Sequence, residues 1–568
     1  MKKFFLQIFN RINQLDKYTT SYLKHSHSIE IPTLAYTNWA MHLAEIKDFE
    51  SAIKKLETAI LMSNQNPKPC ISLGVIYAKL KEYAKAETVL KQAIERDTQN
   101  SYTYAVLGSV LVAQDKFEEA EENLKKGLKL APSDAELYLN YGILYAKQQK
   151  KIKAIDMFKK SKFFNPTNLH AYFLLGVMYF ETEKIAEAFC EFKQLENLKP
   201  DYKNLNYYLA LCYKKEMNYM AVMEYGQRAL EEDPSNSSIH VLLAQNYITL
   251  KQENEGFDIY NNAVKKGIDD FEFFLSWGIS LLKVNDIDGA KEKLTIALNK
   301  KENDTNALYR LGTCYYKEKN YEKAEELYLK AIESDNQNSM ALADLGITYY
   351  ETQKYEEAIS SFFKSINIAT KNSYLYFYIA NCYYKLGRLK KSIEYYEKTI
   401  EYYPAHTEAL INACVNLLEL DNTKDALRKI RNAYQINRDS EKILLLYAFT
   451  ELKSGLFNDC IEKINILLEK YPNNNEAKYI KIYALIYLNK PQEALNILYS
   501  LKEEEKITGL FTYLNYLAYK ILVEDNPSNY NKSMLDFYIN ELDNQSKDVF
   551  NENELMNYIN KTLNINKG

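Results

Sequence analysis

Glycine and proline are scarce in this 568-residue sequence, with 16 and 11 occurrences respectively. Because these residues interrupt helices most strongly, their scarcity permits a largely helical chain. The sequence also lacks any run of about 20 apolar residues, the length that a membrane-spanning helix needs, although 47% of its residues are hydrophobic. The composition therefore predicts a packed, soluble protein.

A surplus of positive charge is missing too. The 72 basic side chains are balanced by 76 acidic ones, which gives a formal net charge of -4. Such a balance provides no long-range attraction for a phosphate backbone. We therefore do not expect nucleic acid to be the main partner.

Paired cysteines are also absent. The seven cysteines are odd in number and contain no C-x-x-C pair, which is not typical of a disulfide framework or a zinc site. This pattern favours a reducing compartment. We therefore expect a cytoplasmic protein.

The sequence contains none of the short motifs that commonly hold catalytic or phosphate-binding groups. It has no G-x-x-x-x-G-K-[ST], G-x-G-x-x-G, H-E-x-x-H or G-x-S-x-G motif, and its six histidines are scattered. We therefore predict no enzymatic activity, no catalytic residue, no metal site and no cofactor.

The sequence does contain a strict period of 34 residues, which is marked by a first series of small residues that starts at Ala40. A second series of small residues starts at Ala52, twelve residues after Ala40, and keeps the same period. Large apolar residues follow the first series by three residues and the second by four, so each period predicts two amphipathic helices that cross at their small residues. The first series consists of Ala40, Gly74, Gly108, Gly142, Gly176, Ala210, Ala244, Gly278, Gly312, Gly346, Ala380, Cys414 and Ala448.

Prolines follow the second helix of several periods, at Pro132, Pro166, Pro200, Pro234, Pro404 and Pro472. This pattern resembles the tetratricopeptide repeat family, whose unit is a 34-residue helix-turn-helix. The resemblance covers residues 33–508, or about fourteen repeats. It implies an all-α, right-handed α-solenoid that binds protein or peptide partners.

The two ends of the chain leave the period. In residues 1–32, Phe4, Ile8, Ile12 and Leu15 fall at helical spacing, which predicts an amphipathic helix that caps the first repeat. Attachment of this helix to a membrane surface is the alternative. Residues 509–568 keep a helical pattern and are predicted to form a C-terminal helical cap, with a docking arm for a partner as the alternative.

Several repeats depart from the pattern. In the seventh repeat, Gly256 and Ile268 predict looser helix packing. In the thirteenth repeat, Glu451 stands where tyrosine or leucine is expected, and in the fourteenth Ile482 takes a small-residue position. The resemblance is therefore weaker in these repeats.

Members of the family line a concave groove with side chains of the first helices. We number each 34-residue repeat so that the small residue of the first series is position 8. Helical geometry then places positions 2, 6, 9 and 13 opposite the buried face, with positions 5 and 12 beside them. In the ninth to eleventh repeats these positions carry an aromatic wall with a few polar groups, which indicates either a partner-binding surface or aromatic residues used only for packing. The candidate partner-binding residues are Tyr309, Arg310, Tyr316, Asp344, Tyr350, Tyr374, Phe377, Asn381 and Tyr384.

The resemblance favours a protein-protein interaction scaffold. Two alternatives belong to other functional classes. One is a regulatory repeat arm for a separately encoded enzyme such as a glycosyltransferase, and the other is a membrane-surface assembly factor anchored by the first 24 residues.

Overall fold

The computed structural model describes residues 30–369, 373–501 and 508–544. Within these ranges every regular element is an α-helix, and successive helices pair into antiparallel hairpins joined by short turns. The predicted all-α solenoid of helix-turn-helix repeats is therefore confirmed. The chain divides into two compact bodies, Met1–Asp269 and Asp270–Gly568.

The N-terminal body contains repeats 1–7. The predicted N-terminal capping helix lies outside the described residues, which start at residue 30. The hairpins are formed by α1 (Glu30–Glu45) and α2 (Phe49–Met62), α3 (Lys68–Lys79) and α4 (Tyr83–Arg96), α5 (Ser101–Ala113) and α6 (Phe117–Leu130), α7 (Ala135–Lys147) and α8 (Lys151–Phe164), α9 (Leu169–Glu181) and α10 (Ile185–Leu198), α11 (Leu205–Lys215) and α12 (Tyr219–Glu232), and α13 (Ser237–Thr249) and α14 (Glu253–Lys265).

The C-terminal body contains repeats 8–14 and two further helices. Its hairpins are α15 (Phe271–Lys283) and α16 (Ile287–Lys300), α17 (Thr305–Lys317) and α18 (Tyr321–Ser334), α19 (Ser339–Glu351) and α20 (Tyr355–Ile368), α21 (Ser373–Lys385) and α22 (Leu389–Tyr402), α23 (Thr407–Glu419) and α24 (Thr423–Ile436), α25 (Glu441–Lys453) and α26 (Phe457–Lys470), and α27 (Asn475–Tyr487) and α28 (Pro491–Ser500). The chain then continues through α29 (Thr508–Asp525) and α30 (Asn529–Asn544).

Side-chain caps start most of the first helices. Asp134, for example, accepts hydrogen bonds from the backbone N–H groups of Glu136 and Leu137 at 2.9 and 3.2 Å. These bonds satisfy donors that have no partner within the helix. Equivalent caps are Asn100, Asn168, Asn236, Asp270, Asp304, Asn338, Ser440 and Asn474.

The turn inside each of the fourteen hairpins contains one residue in the left-handed region. Lys319 has φ 62°, and its N–H donates to the Tyr316 carbonyl while the Asn320 N–H donates to the Tyr315 carbonyl. These bonds close the end of the first helix. Among the fourteen turns, glycine holds this position only at Gly387 and Gly455. The other turns therefore could not be recognised in the sequence from a glycine.

The glycines of the first small series are needed for close helix contact. A Cβ atom on Gly346 would lie 2.5 Å from Cε1 of Phe362, which belongs to the second helix of the same repeat. Gly256 in the seventh repeat is similarly confined, because a Cβ there would lie 2.9 Å from the Ala244 carbonyl oxygen. The two helices of that hairpin therefore approach closely at Gly256, and looser packing elsewhere in the seventh repeat stays a prediction.

The last two helices pack on the fourteenth repeat. Leu510 and Leu514 of α29 are buried in the same apolar core as Leu498 of α28, and the hydroxyl groups of Tyr499 and Tyr519 lie 2.8 Å apart. Across the described residues, no helix has the length and apolar character needed to cross a membrane.

Candidate functional site

The nine candidate residues lie on α17, α19 and α21, the successive first helices of repeats 9–11 in the C-terminal body. Tyr374 is the most exposed of them, at 50%, whereas Tyr309 and Asn381 are buried. The structure places the other six between these extremes. They are Arg310, Tyr316, Asp344, Tyr350, Phe377 and Tyr384.

Tyr309 and Asp344 connect the first two of these helices. The Tyr309 hydroxyl donates a hydrogen bond of 2.9 Å to Oδ2 of Asp344. Burial raises the pKa of the Asp344 carboxyl, while this hydrogen bond and the charge of Arg310 oppose the increase. Repeats 9 and 10 therefore share a half-buried carboxyl group beside an aromatic ring.

We call Tyr316, Tyr350, Tyr374 and Tyr378 the tyrosine cluster. The last three are in ring contact, and Tyr316 lies close enough to interact electrostatically with Tyr374 and Tyr378. The ring of Tyr378 meets Tyr350 at 84° and a centroid distance of 5.4 Å, and meets Tyr374 at 77° and 4.8 Å. The hydroxyl groups of Tyr374 and Tyr378 lie 2.8 Å apart. Edge-to-face pairs of this kind are favourable and hold the rings in fixed orientations.

Tyr378 was not among the residues predicted from the sequence. It occupies the same repeat position as Arg310 and Asp344, at the same spacing of 34 residues. Strict use of the period would have found it.

Phe377 contacts the next repeat directly, whereas Asn381 is linked to it through Tyr396 of its own repeat. The Phe377 ring stacks on His406 with a centroid distance of 4.8 Å. Asn381 accepts a hydrogen bond of 2.5 Å from the hydroxyl of Tyr396, which in turn accepts one of 3.2 Å from Asn412. These two residues therefore join repeats 11 and 12.

The accessible surface on the first helices ends at this junction. In repeats 12–14, positions 6, 9 and 12 of the first helix are all buried. Their occupants are Asn412, Val415 and Leu418 in α23, Leu446, Phe449 and Leu452 in α25, and Ile480, Tyr483 and Ile486 in α27. The half-buried aromatic surface of repeats 9–11 is therefore a local feature of the C-terminal body.

The N-terminal body holds a second aromatic group that was not predicted from the sequence. Phe173 lies 5.1 Å from Tyr202 and 5.4 Å from Tyr208, measured between ring centroids, and the Tyr202 hydroxyl lies 2.7 Å from Nδ1 of His170. Here α11 begins two residues later than the period predicts, after Asn204 with φ 65°. An open depression of about 820 Å³ adjoins these residues. This group could have been recognised in the sequence from Phe173 and Tyr207, which are aromatic residues at position 5 of successive repeats.

Family models match four stretches of the chain. Three of them describe a tetratricopeptide repeat and match residues 43–109, 303–371 and 373–406. The fourth, described as the TPR domain of cytochrome c-type biogenesis protein H, matches residues 79–204. The chain is a tetratricopeptide repeat protein. Tetratricopeptide repeat arrays are protein-interaction scaffolds and are generally non-catalytic.

No curated protein matches this tetratricopeptide repeat protein. Solved structures with similarity include the APC/C hetero-tetramer Cut9-Hcn1, at 14% identity and a TM-score of 0.36, covering 82% of this chain and 98% of that one. Pseudomonas aeruginosa pilF shares 18% identity, with a TM-score of 0.34 and coverage of 36% and 94%. A thermophilic TPR protein of Thermus thermophilus shares 20% identity, with a TM-score of 0.30 and coverage of 32% and 98%.

Proposed function

We propose that this protein is a binding scaffold that holds an extended segment of a partner protein against α17, α19 and α21. The observation that supports the proposal is the band of half-buried aromatic side chains over these three helices, where repeats 12–14 bury the same positions. Tyrosine suits such a role because it buries a large area while losing few rotamers, and it recurs among interface hot spots.

The predicted residues have two roles in this proposal. Tyr316, Tyr350, Tyr374 and Tyr384 contact the partner, and Arg310 and Asp344 provide polar groups at one end. The other three, Tyr309, Phe377 and Asn381, pack between repeats and hold the partner-binding helices in place.

We further propose a cytoplasmic location and no catalytic activity. The location is supported by the cysteines, because none of the seven, all within the described residues, forms a disulfide. A repeat arm for an enzyme and a membrane-surface assembly factor stay alternatives. The helix on which the membrane alternative depends lies outside the described residues.

The test is affinity purification of the full-length protein from its native host, with quantitative mass spectrometry, beside the double variant Tyr374→Ser/Tyr384→Ser. Tyr374 is half-exposed and Tyr384 is half-buried outside the apolar core, so the variant should fold. We expect recovery of the specific partner to fall by about tenfold or more, the effect of losing roughly 1.4 kcal/mol of binding free energy.

The matched control is Tyr402→Ser/Tyr403→Ser, which alters two tyrosines that are each 52% exposed at the end of the second helix α22. This control should retain the partner. If the Tyr374→Ser/Tyr384→Ser variant recovers every partner at the wild-type level, the first-helix surface of repeats 9–11 is not the binding site.

A further inference from the structure

Two carboxyl groups adjoin the tyrosine cluster. Asp344 and Glu351 are seven residues apart on α19, so they lie on the same face of that helix, two turns from each other. Burial is the largest cause that raises the pKa of Tyr316, to about 12, and the negative charges of Glu351 and Asp344 add to it. The negative charges of both carboxylates therefore influence the region around the tyrosine hydroxyl groups.

Asp344 is half-buried and has capacity for another donor. Its Oδ2 accepts the Tyr309 hydroxyl, while a carboxylate offers about four lone-pair sites in total. Because burial disfavours its charged form, a cation brought by a ligand would recover part of that desolvation cost and form a charge-assisted hydrogen bond.

Arg310 is the cation of this protein that acts on Asp344. Its Nε donates to Oδ1 of Asn306 at 3.3 Å, and its guanidinium lies 5.1 Å from the ring centroid of Tyr309. The Arg310 side chain therefore makes its contacts toward the beginning of α17. Glu351 lies at the other end of the surface, as the last residue of α19, and is exposed.

The tyrosine rings add a second attraction for cations, because the face of an aromatic ring carries partial negative charge. The protein already uses this contact elsewhere. Nζ of Lys398 lies 4.3 Å from the ring centroid of Tyr395, and Nζ of Lys162 lies 4.3 Å from that of Tyr172.

We infer that the tyrosine cluster binds a lysine or arginine side chain of the partner segment, with its cation against Asp344 and its methylene groups against the tyrosine rings. Glu351, two turns along the same helix, adds negative charge at the other end of this surface. The inference rests on the proposed function and specifies the chemistry of the segment. An acidic side chain at the same place would meet the two carboxylates and be repelled.

The test is selection of a library of random twelve-residue peptides on the immobilised full-length protein, followed by sequencing of the retained peptides. Wild-type protein should enrich lysine or arginine at one fixed position by about tenfold over the library. The double variant Asp344→Asn/Glu351→Gln, which keeps side-chain size, should lose this preference. The control Glu322→Gln/Glu333→Gln, which alters two exposed carboxylates of α18, should keep it.

The outcomes separate the inference from the proposed function. Peptides that are enriched without a basic residue, yet are lost by Tyr374→Ser/Tyr384→Ser, overturn the inference and leave the proposed function intact. A basic preference that survives Asp344→Asn/Glu351→Gln also overturns the inference. If no peptide is enriched, or if the tyrosine variant retains every enriched peptide, the proposed function fails and the inference fails with it.

Discussion

Repeats 9–11 keep half-buried tyrosines at position 12 of the first helix, whereas repeats 12–14 place buried aliphatic residues there. The tyrosines are Tyr316, Tyr350 and Tyr384, and the aliphatic residues are Leu418, Leu452 and Ile486. The backbone period is the same in both regions. The difference shows that the side chains, and not the helix-turn-helix scaffold, decide whether a first helix presents a surface or joins the core.

The two regions also differ in how their repeats are joined. Repeats 9 and 10 share a hydrogen bond between Tyr309 and Asp344 at the edge of the accessible surface. In repeats 12–14, one continuous apolar core extends from α23 to α30. We therefore expect substitutions at matched positions to affect binding in the first region and stability in the second.

The largest expected effect is for Phe449→Ala, at position 9 of repeat 13. Phe449 is 1% exposed, and removing a buried ring of this kind costs about 3–5 kcal/mol because a cavity is left behind. Since solenoids unfold in parts, the measurement is hydrogen exchange of the α25 and α26 amides. The matched variant is Ile347→Ala at position 9 of repeat 10, where the side chain is half-buried and the cost should be about 1 kcal/mol. Equal costs would contradict the distinction between the two regions.

The second prediction concerns Glu451, which is 3% exposed and whose Oε2 accepts no hydrogen bond from any described residue. Burial raises the pKa of its carboxyl to about 7, with Lys463 and Arg431 opposing the shift and Asp459 and Glu462 adding to it. A raised pKa favours the folded state below the unfolded value of about 4.5, and this contribution is lost as the pH rises through 7.

Glu451→Leu should therefore stabilise repeat 13 by about 2–3 kcal/mol at pH 8, since each pKa unit corresponds to about 1.4 kcal/mol. The gain should shrink toward pH 5. Leu417 and Leu485 occupy the same position in the neighbouring repeats and are buried, so leucine fits there. Hydrogen exchange across this pH range provides the measurement, with Glu469→Gln, which alters an exposed carboxylate of α26, as the control. A gain that does not change with pH would mean that Glu451 does not titrate near 7.

The smallest effect is expected at the junction of the two regions. Tyr396→Phe removes the hydroxyl that Asn381 and Asn412 share, and the loss should cost about 1–2 kcal/mol because buried amide groups lose partners. Tyr328→Phe is the matched variant at the same repeat position in repeat 9, where the hydroxyl makes only a 3.5 Å contact with Thr313. Its cost should be below about 0.5 kcal/mol. Urea unfolding of each variant compares the two, and a similar loss in both would show that the shared hydroxyl adds nothing.

The hairpins could be predicted from the sequence because each helix crossing needs a small residue opposite a large one. Gly312 faces Tyr328 and Gly346 faces Phe362 at the predicted spacing. The surface was harder to predict, because burial depends on what the next repeat contributes. Tyr309 and Asn381 share the predicted face, but both are buried, Tyr309 against Asp344 of the next repeat and Asn381 against Tyr396 of its own repeat. The left-handed conformation of turn residues such as Lys319 could not be predicted either, because a non-glycine residue in this conformation cannot be recognised from the sequence.

The pairing of each crossing glycine with a large side chain of its own repeat has a consequence for chain length. Since Gly346 and Phe362 belong to one 34-residue unit, removing that whole unit removes both partners together and leaves no unmatched cavity within the remaining repeats. The flanking units would then follow each other at the same 34-residue spacing, while contacts specific to one junction, such as that of Tyr309 with Asp344, would be lost. A change in the length of this protein by one whole repeat should therefore disturb the core of each remaining hairpin less than a deletion within a repeat.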